Sequence, residues 1–315
     1  MTWTYEKELR DWLPGIGCDV EWDTDLGART WYAVGGKCAA LAHPKDEVQL
    51  EMVVQGAHER GVPMYVLGSG ANLLVLSKGV DGVVVLLDDE YWQEYEIKVD
   101  EVVARGGCDL MKLVRETAKA GQAGLEVLAG IPASVGGAVR MNAGGAFGEI
   151  GSSVKWVRVM DVRGEVRVID RDELCFSYRH TNVVEPLILE VGFELAGGDA
   201  TALMQRVKEI FLYKKNSQPM GANSAGCAFK NPSSSSEGEA KGAGQLIDEA
   251  GLKGYRIGRA QVSEVHANFI TADKKDDDPK VADEVFAVMC HAQEVVHERF
   301  GIELVREVVV WPAPR

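Results

Sequence analysis

The chain has 315 residues, of which 46 % are apolar and 26 % charged, as is typical of a globular protein of one or two domains. Its 34 basic and 48 acidic residues give a formal net charge of −14 at pH 7, which argues against binding to nucleic acid or to anionic membranes. The N-terminus shows no basic stretch followed by an apolar run, and no run of about 18 apolar residues occurs, so we expect a cytoplasmic protein.

Apolar periodicity and glycine or proline stops predict a mixture of helices, strands and hairpins along the chain. The predicted elements are, in chain order, a helix at 46–60, strands at 64–67 and 80–87, a hairpin at 95–107, a helix at 108–121, a hairpin at 155–170 that turns at Arg163 and Gly164, a strand at 186–195, helices at 199–215, 243–254 and 281–300, and a strand at 302–311. Residues 233–242 are expected to form a surface loop and residues 273–279 a solvated turn.

This order lacks the regular alternation of strands and helices that a doubly wound sheet requires, so it predicts an α+β fold. A composition shift near residue 200 predicts two domains, 1–198 and 199–315, the first made of two subdomains at roughly 1–88 and 89–198. We expect the last strand of the second domain to return toward the first.

Two glycine-rich stretches follow short apolar runs, at residues 66–75 and 129–150. Glycine allows positive φ angles and close approach of the backbone to a ligand, and successive N–H groups in such turns can hold phosphates. Two such stretches indicate a large, multiply anionic ligand such as a dinucleotide. The first does not match the Rossmann fingerprint, because Leu73 occupies the third glycine position.

Seven motifs in order resemble the flavoenzyme family of UDP-N-acetylenolpyruvoylglucosamine reductases, known as MurB. They are "RTWYAVGGKCAALAHP", "LGSGANLLV", "GLEVLAGIPASVGGAVRMNAGGAFGEI", "FSYRHTNV", "SAGCAFKNP", "AGQLIDEAGLKG" with "HANFI", and the terminal "EV". The resemblance covers nearly the whole chain. The short spacing between the fourth and fifth motifs is similar to the family members with a short insert.

This resemblance implies an FAD-binding domain of the vanillyl-alcohol-oxidase (PCMH) type, with non-covalent FAD, and a C-terminal α/β domain for a UDP-sugar. The implied reaction is NADPH-dependent reduction of UDP-N-acetylglucosamine enolpyruvate to UDP-N-acetylmuramate in peptidoglycan precursor synthesis, with the two substrates taking turns at one site. The implied FAD-binding residues are Gly68, Ser69, Gly70, Ala71, Asn72, Gly130, Ile131, Ser134 and Gly137.

The family motifs also imply three catalytic residues, which should converge beside the flavin. Arg179 matches the arginine that clamps the substrate carboxylate, a task suited to a planar, permanently charged guanidinium. Cys227 stands where the family usually has a serine proton donor, and a thiol, with an ordinary pKa of about 8.5, is more acidic than a hydroxyl. Glu307 matches the family glutamate and lies in an apolar run, where a carboxylate needs a partner or a proton.

Further motif positions imply contacts with the UDP-sugar by Tyr178, Lys215, Lys230, Asn231 and Asn268, with Lys214 an alternative to Lys215. Six scattered cysteines without a C-x-x-C pair are typical of reduced thiols, so we expect no metal. We also expect a monomer.

Three other interpretations stay open at this point. The chain could be another flavin oxidoreductase of the same fold, such as a sugar-lactone or alcohol oxidase, although neither His43 nor His58 lies in the usual context for covalent FAD. It could be an FAD-binding homologue impaired by the serine-to-cysteine change at Cys227. The glycine-rich stretches could also be ordinary tight turns.

Overall fold

The computed structural model describes residues 2–99, 101–232, 241–274 and 278–313. The predicted loop at 233–242 therefore lies almost entirely outside the described residues, and so does the centre of the predicted turn at 273–279. None of the helices in the described ranges is long and apolar enough to cross a membrane.

Seven α-helices occur in these ranges. They are α1 (Glu6–Trp12), α2 (Glu47–Arg60), α3 (Leu110–Lys119), α4 (Val135–Arg140), α5 (Ala200–Ser217), α6 (Ala243–Glu249) and α7 (Lys280–Phe300). Short 3-10 helices occupy Leu13–Ile16, Gly27–Arg29, Glu90–Gln93, Glu126–Leu128 and Ile150–Ser152.

The strands of the described ranges are mostly short. They are β1 (Asp19–Asp25), β2 (Lys37–His43), β3 (Met64–Leu67), β4 (Leu73–Val75), β5 (Val80–Leu86), β6 (Tyr95–Ile97), β7 (Val102–Arg105), β8 (Gln122–Ala123), β9 (Gly144–Gly145), β10 (Gly148–Glu149), β11 (Val154–Met160), β12 (Val166–Asp170), β13 (Phe176–Ser177), β14 (His180–Thr181), β15 (Leu187–Phe193), β16 (Ala196–Gly197), β17 (Arg256–Ile257), β18 (Ala260–Val262), β19 (Ile270–Ala272) and β20 (Val309–Trp311).

The predicted helices are present, although the one predicted at 243–254 ends at Glu249, and two of them begin with ordinary capping chemistry. At the start of α2, Asp46 accepts a hydrogen bond from the backbone N–H of Gln49, and Gly61 ends the helix at φ +62°. At the start of α3, Asp109 accepts from the N–H of Lys112. The two predicted hairpins are also present, as the antiparallel pairs β6–β7 and β11–β12.

The described chain divides into two compact units. Unit 1 comprises Met1–Asp23, Ala39–Ser69 and Asp81–Tyr213, and unit 2 comprises Thr24–Cys38, Gly70–Val80 and Lys214–Arg315. These units differ from the predicted domains, since two segments before residue 81 belong to unit 2 and the later boundary follows Tyr213. The division at 198 and 199 stays a prediction about independently folding domains.

Unit 1 contains two main sheets. One has the strand order β1-β2-β5-β3, with β3 and β5 parallel. The other is antiparallel throughout, in the order β12-β11-β15-β7-β6. Each sheet has its own apolar core, the first around Trp92 and Leu50 and the second around Phe193 and Val157. Burial of these apolar faces supplies the main driving force for the fold.

Unit 2 is built on the antiparallel sheet β17-β18-β19, whose core includes side chains from α6 and α7. Beyond β19 the backbone pairing continues through three single bridges, Asn223 with Ala272, Cys227 with Phe269, and Phe229 with Arg306. The segment that contains Cys227 therefore lies between two neighbouring chain segments.

The prediction of one strand at 302–311 is wrong in extent, because only Val309–Trp311 is regular strand. The chain changes its neighbour here. Val305 and Glu307 pair through their backbones with Lys230 and Ala228, whereas β20 pairs in parallel with β4. A strand that changes partner cannot continue one hydrogen-bond ladder, so the regular element is interrupted.

Candidate active site

A cavity of about 320 Å³ in unit 1 contains parts of both glycine-rich stretches. Gly68 and Ser69 come from the first stretch, and Ser134, Gly136 and Gly137 from the second. Other polar or small residues of its wall are Asp88, Gln93, Gly106, Gly107, Asp109 and Arg140. Of the predicted FAD-binding residues, the cavity thus brings together Gly68, Ser69, Ser134 and Gly137.

The two glycine-rich stretches meet where Gly68 of the first packs against Ser134, the N-cap of α4, in the second. Ser134 precedes α4 and accepts a hydrogen bond from the backbone N–H of Gly137, with an N-to-Oγ distance of 3.2 Å. Gly68 follows β3, and a Cβ there would lie 2.7 Å from Ser134 Oγ, closer than real Cβ atoms come. A side chain at position 68 would therefore require the Ser134 hydroxyl, which caps α4, to move.

The other predicted FAD-binding residues lie elsewhere. Gly70, Ala71 and Asn72 belong to unit 2. Gly130 and Ile131 are in unit 1 but are not part of the cavity wall. Their predicted role stays a prediction.

A third glycine-containing segment of the wall, beside the two glycine-rich stretches, was missed by the sequence analysis. Gly106 and Gly107 follow β7, and a Cβ at either position would collide with a backbone oxygen, of Ile188 and of Leu87 respectively. The signal was available, since these residues also form a glycine cluster directly after an apolar strand. Gln93 Nε2 donates to the carbonyl of Gly107 at 2.9 Å and fixes this turn.

Of the described residues that line this cavity, Arg140 is the only cation. Its guanidinium donates to the carbonyl oxygens of Val183 and Glu185, and burial lowers its pKa without removing its charge at neutral pH. The two carboxylates of the wall, Asp109 and Asp88, each contact other groups of the protein. Asp109 caps α3, and Asp88 Oδ1 lies 2.8 Å from His43 Nδ1.

Arg179 is at the tip of a two-residue hairpin loop between β13 and β14. Its backbone has φ +54°, a left-handed conformation that arginine rarely adopts. Nη2 donates to the carbonyl of Gly144 at 2.8 Å, and the guanidinium lies 5.1 Å from the ring centroid of Tyr178. Tyr178 is 48 % exposed and Arg179 is half-buried.

The buried side chain of Asn142 supports the β13–β14 hairpin through a hydrogen bond to its backbone. Asn142 is fully buried, with φ +42°. Its Nδ2 donates to the carbonyl of Ser177 at 2.9 Å, and its Oδ1 accepts from the N–H of Gly151 at 3.0 Å. Asn142 thereby connects the hairpin that carries Arg179 to the second glycine-rich stretch.

Cys227 and Glu307 both belong to unit 2, on adjacent backbone segments. The N–H of Glu307 donates to the carbonyl of Ala228 at 2.9 Å, one residue beyond Cys227. The carbonyl of Glu307 accepts from Asn72 Nδ2 at 3.1 Å. Because Arg179 is in unit 1, the predicted convergence of all three residues stays a prediction.

The predicted substrate-binding residues of unit 2 occupy different environments. Asn231 Oδ1 accepts from the N–H of Ala243 at 2.9 Å, so this side chain caps α6. Asn268 is 3 % exposed, and both its amide atoms bond to the backbone of Phe229. Lys230 is half-buried, and of the two lysines near the end of α5, Lys214 is buried and Lys215 exposed.

Comparison with known proteins yields two family matches. Residues 218–311 match the C-terminal domain of UDP-N-acetylenolpyruvoylglucosamine reductase, and residues 38–170 match an FAD binding domain. This pair of matches confirms the predicted combination of an FAD-binding part with a C-terminal substrate-binding part.

Whole-length relatives and a solved structure agree with these matches. UDP-N-acetylenolpyruvoylglucosamine reductase from Heliobacterium modesticaldum is 39 % identical over 90 % of this chain and 88 % of its own length. The enzyme of that name from Moorella thermoacetica is 35 % identical over 94 % and 95 %. The crystal structure of UDP-N-acetylenolpyruvylglucosamine reductase (MurB) from Thermus caldophilus is similar with a TM-score of 0.77, at 36 % identity over 94 % of this chain and 99 % of that one.

Proposed function

Because the chain belongs to the UDP-N-acetylenolpyruvoylglucosamine reductase family, we propose that it reduces UDP-N-acetylglucosamine enolpyruvate to UDP-N-acetylmuramate with NADPH and non-covalent FAD. The product serves peptidoglycan precursor synthesis. The observation that carries this proposal is the similarity over the whole chain, together with the meeting of both glycine-rich stretches at one cavity. The monomeric state and the cytoplasmic location expected from the sequence are part of the proposal.

The cavity in unit 1 fits the diphosphate portion of FAD. Five glycines belong to its wall, so few side chains separate the backbone from a ligand there; they are Gly68, Gly106, Gly107, Gly136 and Gly137. Arg140 contributes positive charge, which would offset the negative field of the whole protein at a phosphate. When bound, FAD would supply hydride transfer from NADPH to the enolpyruvyl carbon.

Arg179 is proposed to bind the substrate carboxylate. As the enolpyruvyl group is reduced, negative charge grows on the carbon next to this carboxylate and is shared with it. A fixed guanidinium stabilises such charge more in the transition state than in the ground state. Its contact with the Gly144 carbonyl at 2.8 Å supports this role, because it restricts the side chain before substrate arrives.

Cys227 is proposed to supply the proton that completes the reaction. The enolate formed on the substrate must take a proton, and the thiol Sγ–H can give one and regain it from water afterwards. Glu307, on the adjacent segment, is proposed to polarise the substrate carboxyl group as a neutral acid. Tyr178, Lys215 or Lys214, Lys230 and Asn231 are proposed to hold the UDP-sugar.

The proposal is tested by steady-state turnover of the purified protein. NADPH should be oxidised only when UDP-N-acetylglucosamine enolpyruvate is present, and the product should be heavier than the substrate by two hydrogens. Oxygen uptake with a simple alcohol or sugar lactone would favour an oxidase instead. A yellow protein whose flavin is reduced by NADPH but which does not turn over with the UDP-sugar would indicate a homologue impaired at Cys227.

A further inference from the structure

Asn268 lies directly beside the segment that carries Cys227, and all its hydrogen-bonding groups face that segment or its own loop. Nδ2 donates to the carbonyl of Phe229 at 2.8 Å, and Oδ1 accepts from the N–H of Phe229 at 3.0 Å. Its backbone carbonyl accepts from the N–H of Ala228 at 2.7 Å. Residues 228 and 229 are therefore held by three hydrogen bonds from one residue.

On the other side of Cys227, Gly226 has φ +75°, a left-handed conformation that glycine adopts without strain. Cys227 itself forms a single antiparallel bridge with Phe269, the residue after Asn268. The backbone at Cys227 is thus held by Asn268 and Phe269 and by the pairing of Ala228 with Glu307. Phe229 is 1 % exposed, so water cannot replace the amide of Asn268.

We propose that Asn268 is a positioning residue that holds the Cys227 thiol in the orientation from which it donates its proton. This inference rests on the role proposed for Cys227. It differs from the predicted contact of Asn268 with the UDP-sugar, since both amide atoms bond to the backbone of Phe229 and the residue is 3 % exposed. A buried side chain that bonds to both the N–H and the carbonyl of one residue fixes the two peptide groups on either side of it more firmly than either bond alone.

The two half-reactions of the enzyme separate this role from a purely structural one. Reduction of the flavin by NADPH does not require a proton from Cys227, whereas reduction of the enolpyruvyl group does. Asn268→Ala should slow the second step at least 10-fold and leave the first within twofold of the original protein. Gln293→Ala is the matched control, since Gln293 Nε2 also donates to a backbone carbonyl of unit 2, that of Leu304 at 2.7 Å.

Asn268→Asp adds a readout that depends on pH. An ionised aspartate faces the Phe229 carbonyl with no donor, but a protonated aspartic acid offers one donor and one acceptor, as asparagine does. The second half-reaction of Asn268→Asp should therefore recover as pH falls, and that of Asn268→Ala should not. The original protein, measured over the same range, corrects for titration of Cys227, Glu307, Lys230 and His266, whose Nδ1 accepts from the N–H of Asn268.

The reactivity of the thiol provides a measurement that needs no turnover. Iodoacetamide labelling, followed by peptide mass spectrometry, should modify Cys227 at least threefold faster in Asn268→Ala, because a loosened segment exposes this half-buried thiol. Exposed Cys175 in unit 1 is the internal reference and should react at an unchanged rate.

The outcomes distinguish the inference from the function on which it rests. If Cys227→Ala is slow in the second half-reaction and both Asn268 variants match the original protein, the positioning role is wrong and the proton donor stands. If Cys227→Ala is as fast as the original protein, the role proposed for Cys227 is wrong. If Asn268→Ala does not fold, the pH dependence of Asn268→Asp decides, and a flat profile overturns the inference.

Discussion

The hairpin that carries Arg179 and the segment that carries Cys227 hold their candidate catalytic residues in different ways. Arg179 occupies the tip of a two-residue loop, in a left-handed conformation. Cys227 lies between two paired backbone segments, with neighbours bonded to Asn268 and Glu307. Arg179 thus sits in a tight turn that Asn142 supports, whereas the backbone at Cys227 is held by pairing with two segments that are distant in sequence.

The difference indicates why each residue type occurs where it does. A left-handed residue in a tight turn favours glycine or asparagine, and arginine there costs about 1 to 2 kcal/mol. Retention of an unfavourable side chain at a turn points to a functional requirement for it. No such strain accompanies Cys227, so its contribution must be tested through the contacts around it.

The largest effect is expected for Arg179→Lys. Lysine keeps the charge but loses the planar, two-pronged geometry for a carboxylate, so kcat/KM should fall on the order of 100-fold. The melting temperature should be unchanged, since both side chains occupy the same half-exposed turn. Arg171→Lys is the control, because Arg171 also lies against an aromatic ring, that of Phe176, and should retain full activity. Equal kcat/KM in the two variants would contradict the proposed role of Arg179 in binding the substrate carboxylate.

Asn142→Ala should have the next largest effect, and it tests the support of the hairpin. The substitution removes both hydrogen bonds of a fully buried side chain and places alanine at φ +42°, so we expect about 2 to 4 kcal/mol lower free energy of unfolding. Urea unfolding measures this. Asn142→Gly permits the left-handed backbone and should recover about 1 kcal/mol of the loss. Stability equal to that of the original protein in both variants would show that Asn142 does not support the hairpin.

A smaller effect is expected for a cluster of hydrogen-bonded side chains in unit 1, formed by Glu47, Tyr91 and Arg158. Glu47, on α2, bonds to Arg158 and accepts from the hydroxyl of Tyr91 at 2.9 Å. The hydrogen bond from Arg158 lowers the pKa of Glu47. The pKa of Tyr91 is raised to about 12, chiefly by its own burial and also by its hydrogen bond to Glu47. Glu47→Gln should reduce stability at pH 7 by about 1 to 2 kcal/mol, given that Glu47 is partly exposed.

The pH dependence follows from the direction of the Glu47 shift. A lowered folded-state pKa stabilises the protein fully above the unfolded value, about 4.3, and this contribution is lost as pH falls through the folded value. The difference between Glu47→Gln and the original protein should therefore shrink below about pH 4. Glu209→Gln, which removes an exposed ion pair with Arg206, is the control, and its difference from the original protein should stay small over the whole range. A stability difference between Glu47→Gln and the original protein that stays constant down to pH 3 would contradict the stabilising role of ionised Glu47.

Local signals in the sequence were enough for most of the fold. The helices α2 and α3, the hairpin turn at Gly164 and the glycine-rich stretches all depend on neighbouring residues, and each was found. The caps Asp46 and Asp109 are equally local signals, although the sequence analysis did not single them out. The family motifs extended this to the reaction and the cofactor. Their site residues remain predictions, because roles at a site depend on groups that meet only after folding.

Apart from Gly106 and Gly107, the main features that sequence analysis missed depend on how segments distant in sequence pair with each other. The interruption of the strand at 302–311 requires knowledge that residues 305 and 307 pair with 228–230 while β20 pairs with β4. Likewise, nothing near Asn268 in sequence shows that its amide reaches the backbone of Phe229, 39 residues earlier. The left-handed conformation of Arg179 could not be read from a motif that places arginine in a turn.

The central claim is tested most directly by one anaerobic turnover observed through the flavin. Purified protein with bound FAD is reduced by NADPH until its visible absorbance is bleached, and UDP-N-acetylglucosamine enolpyruvate is then added. The account predicts rapid return of the absorbance, with one UDP-N-acetylmuramate formed per flavin. Absorbance that stays bleached in the presence of the UDP-sugar would contradict the account.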